Sequence, residues 1–406
     1  MLISYFLCRT EAPLFEYIDT TKKLGIFVDK ISDTSWIALD TEFLREKTYY
    51  AKLCLIQIEA NDKRACIDPL LIDDLTSLNK LLQNPDIMKV FHAAHQDIEI
   101  LSQVMGVMPA PIFDTQIAAS VLGYGDQMGY ARLVEQMLGV KLSKTQSRTD
   151  WTRRPLKEIQ LEYAIDDVRY LAQMYPKMLE ALTSRNRLNW LNKDFERATD
   201  PKTYALNPRE RWKKVRGNQV LNSQQLAVLR ELAAWREQRA EKSDIPRKWI
   251  VSDDILLDFA RQQPSSSEAI EEMRGINPER SKKHHQQWLS LIKKAQNQPE
   301  SEWPIPPRSK KPTANQNLLI DLLMLVIQLQ AKKHSLTAAA IATRKQVATM
   351  VQANKSRLSD DWRGELVNNE FAQIISGEMV LGLENNKVAL ITKQHQRESH
   401  LYVNDG

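Results

Sequence analysis

Short apolar runs of strand length fill the first quarter of the chain. Trp36–Leu39, Leu53–Ile58 and Arg64–Ile67 follow one another, parted by polar turns such as Asn61-Asp62-Lys63, and they predict consecutive strands. Leu78–Leu82 reads as a helix that Asn84-Pro85-Asp86 ends, and Ile87–Phe91 is the next strand. Helical patterns dominate from there to about residue 196. Within them Leu161, Ala164, Ile165, Val168, Leu171 and Ala172 fall on one core-facing stripe at roughly 100° per residue. The opening Met1–Cys8 is apolar without a basic leader or a small-residue cleavage site, so we expect an N-terminal strand or partly ordered start, not a signal peptide. Strands interleaved with helices predict an α/β domain over residues 1–200, a mixed central sheet flanked by helices.

The pattern changes at Thr199-Asp200-Pro201, where a basic run (Arg209, Arg211, Lys213, Lys214, Arg216) closes at Gly217-Asn218. Beyond Asn222 the periodicity is helical, with Leu226, Leu229, Leu232, Ala233 and Trp235 on one stripe. Residues 201–300 thus predict a small all-α domain with a basic lead-in. A Pro-rich, basic linker over 301–314 is expected to be extended. Residues 315–406 repeat the helical plan: Ile250–Asp254 followed by Arg274-Gly275 parallels Ile341–Lys345 followed by Arg363-Gly364, which suggests two copies of one module. The run Leu318–Leu329 is interrupted by Asp321 and Gln328 and falls short of the ~20 residues of a membrane span. We expect no membrane partner.

Charge sharpens this division. Residues 1–200 hold 24 Lys and Arg against 28 Asp and Glu, whereas 201–406 hold 32 against 23. An acidic half and a basic half suggest catalysis in the first and a polyanion for the second, although a basic surface can equally serve solubility. Within the basic half, 201–313 hold 22 basic against 14 acidic residues and 314–406 hold 10 against 9, so the first module is the better candidate for nucleic acid. Three cysteines without paired short spacing argue against a disulfide framework or structural zinc and fit a reducing cytoplasm.

Candidate chemistry centres on Asp40 and Glu42. Spaced i and i+2 at the end of an apolar strand, they share a face, and buried carboxylates need a compensating cation or donor. Asp97 lies near the start of a helix leaving the sheet, where compensation of the helix dipole would be an ordinary use for it. Tyr163 and Asp167, i and i+4, flank the apolar stripe of their helix, with Asp166 on the solvent side. Asp40, Glu42, Asp97 and Asp167 are enough carboxylates for two divalent ions that cleave a phosphodiester. Among 51 acidic residues such a set can also arise by chance.

These residues carry a resemblance. Asp40-Thr41-Glu42-Phe43, the stretch Phe91-His92-Ala93 to Asp97, and Tyr163-x-x-x-Asp167, in this order, resemble the DEDD exonuclease superfamily in its tyrosine-bearing branch. Lys144–Trp151 with Arg154-Pro155-Leu156 is similar to the signature of the ribonuclease D family, and both helical modules resemble helicase-and-RNase-D C-terminal (HRDC) domains. The resemblance implies a ribonuclease H-like fold and two divalent ions, Mg²⁺ or Mn²⁺. It further implies that Asp40 bridges both ions, Glu42 and Asp167 hold the nucleophile-side ion, Asp97 reaches the other through water, and Tyr163 orients the attacking water. The implied reaction is hydrolysis of the 3′-terminal phosphodiester of RNA, releasing nucleoside 5′-monophosphates, with transfer RNA precursors bearing a free 3′ end as substrates. The second module departs most from the HRDC pattern.

Other residues are weighed against plainer roles. Phe43 is a candidate for stacking on a terminal base, or a core aromatic. Lys144, Gln146 and Arg154 are candidate phosphate contacts near the cleft, and Lys213, Lys214 and Arg216 near the domain boundary. His92 and His95 lack further metal-ligand partners and read as polar-cleft or surface residues. Trp235, Trp249, Trp288, Trp303 and Trp362 read as core. Asp114 before Thr115 is a helix N-terminus signal. Two other functions fit the same residues: a DNA 3′→5′ exonuclease, since nothing in the motifs senses a 2′-hydroxyl, and a non-catalytic RNA-binding protein with vestigial acids. The absence of a helicase-like segment or Gly-x-x-x-x-Gly-Lys motif favours RNA. Without a heptad seam, a monomer is expected.

Overall fold

The computed structural model describes residues 15–142, 149–306 and 311–392, apart from the side chain of Arg280. Two compact units arise. One gathers the described residues up to Glu42, Leu53–Thr203 and the described residues from Lys311 onward; the other gathers Phe43–Lys52 and the described residues from Tyr204 to the linker.

In the first unit, strands β1 (Glu16–Ile18), β2 (Trp36–Leu44), β3 (Lys52–Ala60), β4 (Lys63–Ile67), β5 (Met88–Phe91) and β6 (Ile112–Asp114) form a six-stranded sheet in the order β1-β4-β3-β2-β5-β6. β3 and β4 pair antiparallel, whereas β1 with β4, β2 with β5 and β5 with β6 run parallel, so the sheet is mixed as expected. β3 is buried along nearly its whole length, which explains its continuous apolar run. Helices α1 (Thr21–Lys30), α2 (Thr76–Gln83), α3 (His95–Met105), α4 (Thr115–Leu122), α5 (Tyr130–Leu138) and α6 (Glu158–Ser184) flank the sheet. On α6 the residues Ala164, Ile165, Val168, Leu171 and Ala172 are buried as the stripe predicts. One boundary differs from expectation: β2 does not stop at the acids but runs through Asp40 and Glu42 to Leu44, so both carboxylates project from the body of a strand. The segment Met1–Cys8 lies outside the described residues.

The later residues of this unit form helices Ala314–Lys333, Ala338–Ile341, Arg344–Gln352 and Trp362–Ser376, followed by a hairpin of Met379–Glu384 and Lys387–Thr392. Its turn, Asn385-Asn386, has φ of +50° and +59°, the left-handed backbone that Asn tolerates in two-residue hairpins. An all-helical expectation overlooked this pair. The module packs on the sheet-bearing part through Trp190 and Trp362, stacked at 4.8 Å, and through Arg363 to Asp194 at 3.1 Å.

The second unit is a helical module of Ser223–Lys242, Arg247–Ile250, Asp253–Gln262, Ser267–Glu271 and His285–Gln296 around Leu226, Leu229, Leu232, Phe259 and Trp288. Its helices of 20, 4 and 10 residues precede shorter pieces and a 12-residue helix. In the first unit the later module runs 20, 4, 9 and 15. Trp235, Trp288 and Trp362 are buried as expected, but Trp249 is 63% exposed. The segment after Asp40 and Glu42 belongs to the second unit through its tyrosines: the Tyr49 and Tyr50 N–H groups donate to Asp244 at 3.0 and 3.1 Å, and their hydroxyls to Glu237 and Glu241 at 2.7 Å each.

Candidate active site

The acids reach the site on one strand and two helices. β2 places Asp40 and Glu42 on one face, with buried Thr41 between them turned the other way. Asp97 sits in the first turn of α3, whose start is braced by Asp114: its carboxylate accepts the N–H groups of Ala93 at 3.0 Å and Ala94 at 2.9 Å, and caps α4 through Gln116 N–H at 2.8 Å. The signal at Asp114-Thr115 thus marks a helix cap, and the same side chain fixes the approach to Asp97. Asp167 projects from α6 one turn after Tyr163. Here half-buried Tyr130 donates to the main-chain carbonyls of Asp166 at 3.0 Å and of Asp167. No sequence signal pointed to Tyr130.

Asp40, Glu42 and Asp167 offer carboxylate oxygens that all lie within 4.8 Å of one another. Asp97 stands beside this triad, its carboxylate taking a 2.5 Å hydrogen bond from the Thr41 hydroxyl. The crowding shows in the electrostatics. Burial, then repulsion from Asp97, Asp167 and Glu42, holds Asp40 well above the ordinary carboxylate range. Glu42 is pushed up to about 8, by burial first and then by Asp167 and Asp97. Burial raises Asp97 against the opposing Thr41 hydrogen bond, and burial with nearby Asp166 and Asp97 raises Asp167. Four acids that resist ionisation together form a donor set for a cation, and all-oxygen donors suit hard divalent ions. Tyr163 is raised by burial and by Asp167, Glu42 and Asp40, so it keeps its proton at neutral pH.

The candidate nucleic-acid contacts fare differently. Phe43 is partly buried on β2 directly after Glu42. Lys144 and Gln146 lie outside the described residues. Lys213, Lys214 and Arg216 are exposed, with Lys213 paired to Glu210 and over the Trp212 ring at 5.9 Å. Arg154 is corrected from a phosphate contact to a structural anchor, because all five of its donors are spent inside the protein. Nε and Nη2 grip the Asp68 carboxylate, Nη2 also reaches the Cys54 carbonyl at 2.7 Å, and Nη1 donates to the carbonyls of Trp151 at 2.7 Å and Arg153 at 2.8 Å. The partner Asp68, 86 residues away, was invisible to local reading. His92 is half-buried, its Nδ1 lying 3.0 Å from the Thr115 hydroxyl.

A mixed sheet delivering clustered acids, with a tyrosine one turn before the last of them, is a donor set suited to metal-dependent phosphodiester chemistry, and the family match makes it that of a 3′→5′ exonuclease. The family described as 3′-5′ exonuclease matches residues 15–183, and the HRDC domain matches 225–292. Ribonuclease D of Sphingobium indicum is 36% identical over 384 residues, covering 93% of this chain and 98% of that protein. Ribonuclease D of Nitrobacter hamburgensis is 35% identical over 385 residues, covering 93% and 100%. Among solved structures, Escherichia coli RNase D, described as an exoribonuclease involved in structured RNA processing, superposes with a TM-score of 0.78 at 31% identity, covering 89% of this chain and 99% of that one. The chain belongs to the ribonuclease D family of 3′→5′ exoribonucleases.

Proposed function

We propose that this protein is a metal-dependent exoribonuclease that trims the 3′ ends of transfer RNA precursors and other structured small RNAs, releasing nucleoside 5′-monophosphates one at a time. The observation that carries this reading is the triad of Asp40, Glu42 and Asp167 within 4.8 Å, with Asp97 at its side. These four residues would hold two divalent ions, Mg²⁺ or Mn²⁺. Such ions, when bound, supply activation of a water and stabilisation of the departing oxygen. The chain's own contribution is placement. β2 and α6 hold the carboxylates on rigid elements, Thr41 orients Asp97, and the protonated Tyr163 hydroxyl is available to orient the attacking water. Water adds to the terminal phosphorus as the bond to the preceding 3′-oxygen breaks, leaving a shortened RNA with a 3′-hydroxyl.

The net positive charge of residues 201–313, which lies in the segments flanking the first HRDC domain, supports a role in holding RNA, and Lys213, Lys214 and Arg216 are the proposed phosphate contacts near the boundary; Phe43 is the proposed base contact beside the acids. The later module is read as a divergent copy of the first, supported by the matching order of helix lengths. We read the working form as a cytoplasmic monomer, in keeping with the free buried thiols of Cys54 and Cys66. No helix among the described residues is long and apolar enough to cross a membrane.

The test is a transfer RNA precursor with a 3′ trailer, 5′-labelled, incubated with Mg²⁺ or Mn²⁺ beside a DNA strand of the same sequence. The trailer should shorten in single-nucleotide steps, faster than the DNA. Internal cuts, or DNA consumed as fast as RNA, would overturn the assignment and, in the second case, favour a DNA exonuclease.

A further inference from the structure

Tyr163 stands on α6 one turn before Asp167. Among the described residues no group hydrogen-bonds its hydroxyl, so ring packing sets where that hydroxyl points. One wall of that packing is Trp151, itself buried, whose indole lies against the Tyr163 ring with centroids 6.3 Å apart and planes inclined by 32°. Trp151 sits in the turn before α6 and not in the sheet, so it needs an anchor of its own.

Arg154 provides one. The Nη1 bond to the Trp151 carbonyl, together with the Nη2 bond to Cys54 on β3 and the two-point grip on Asp68 just beyond β4, ties this turn to the sheet. Asp68 is itself fixed: its side chain is fully buried, its carboxylate accepts the Tyr17 hydroxyl, and its N–H donates to the Ile18 carbonyl at 2.8 Å. The latch therefore spans β1, β3 and the end of β4 and presents Trp151 to α6 at Tyr163.

We propose that Trp151, held by the Arg154–Asp68 latch, is a positioning residue that aims the Tyr163 hydroxyl at the water it orients. The inference rests on the reading of Tyr163 given above. Removing the indole leaves the acids and the RNA surface in place but frees the ring to swing away. The loss falls on turnover and not on binding, because an orienting contact matters most in the transition state.

The experiment compares Trp151→Leu, Trp151→Phe, Tyr163→Phe and the double variant Trp151→Leu/Tyr163→Phe on a labelled oligoribonucleotide. It reads kcat, KM, Mn²⁺ affinity by calorimetry and the salt dependence of RNA binding. Trp151→Leu should lower kcat on the order of 10- to 100-fold with the other three quantities unchanged. Trp151→Phe should recover part of that loss, and the double variant should be no slower than Tyr163→Phe alone. If the two losses multiply, or if Trp151→Leu changes the salt dependence or KM instead of kcat, the positioning role is overturned. Should Trp151→Leu fold poorly, Trp151→Phe is decisive: it must lower kcat alone, and any added loss in the Tyr163→Phe background refutes the proposal. A fully active Tyr163→Phe would instead overturn the role given to Tyr163, a distinct result.

Discussion

Stripping divalent cations from the protein and raising the pH from 5 to 8.5 should cost it stability through the acid cluster. The perturbation acts on groups whose folded pKa values are raised. Below about 4.5 both folded and unfolded chains keep the Glu42 proton, and the site costs nothing. As pH climbs, the unfolded chain ionises first, and the penalty on the fold grows until Glu42 itself ionises near 8. The span from 4.5 to about 8 corresponds to about 5 kcal/mol for Glu42 as an upper bound. Realising even a fifth of that, about 1 kcal/mol, lowers Tm by roughly 2–4 °C in a domain of this size. The assay is thermal unfolding of the chelated protein at pH 5 to 8.5, with and without Mg²⁺, for the wild type and Asp40→Asn. The wild type should lose stability relative to Asp40→Asn as pH rises, since one fewer carboxylate crowds the site. Mg²⁺ should stabilise the wild type strongly at pH 8 and little at pH 5. A wild type that gains on Asp40→Asn as pH rises, or an equal Mg²⁺ effect at both ends, would refute the reasoning.

Three further outcomes follow from the same structure. Arg154→Leu leaves the buried Asp68 carboxylate unpaired and should destabilise the protein by about 3–5 kcal/mol in chemical unfolding, without changing the salt slope of RNA binding. Alanine at Lys213, Lys214 and Arg216 together should reduce that slope by about 2 if all three meet phosphates of a single strand, and an unchanged slope removes them from the interface. Gly123→Ala should lower Tm measurably, by an amount equivalent to about 1–3 kcal/mol, because Gly123 has φ of +90° and an added Cβ would lie 2.2 Å from the Ser335 carbonyl oxygen.

The parts of the site that local pattern reveals are those whose chemistry is local. Asp40 and Glu42 share a face because strand geometry dictates it, and Tyr163 with Asp167 flank a stripe that α6 buries as its periodicity predicts. What escaped depends on partners distant in sequence. Thr41 differs from any strand threonine only because Asp97 arrives 56 residues later, and Arg154 looked like a free cation because Asp68 precedes it by 86. Tyr130 offers no pattern at all until α6 lies against it. The hairpin at Met379–Thr392 is a different kind of miss: two six-residue strands around an Asn-Asn turn carry a weaker pattern than the helical periodicity upstream of them. That Phe43–Lys52 would join the helical unit was also hidden, since the acidic anchors of Tyr49 and Tyr50 lie nearly 200 residues away.

The most direct test of the central claim is the release of label from RNA carrying a 3′-terminal radiolabelled nucleotide, with Mg²⁺ or Mn²⁺ present or chelated, for the wild type and Asp40→Asn. The account predicts that the wild type frees the label as a nucleoside 5′-monophosphate only when the metal is present, and that Asp40→Asn loses this activity by orders of magnitude. Equal release by the variant, or no metal-dependent release by the wild type, would contradict it.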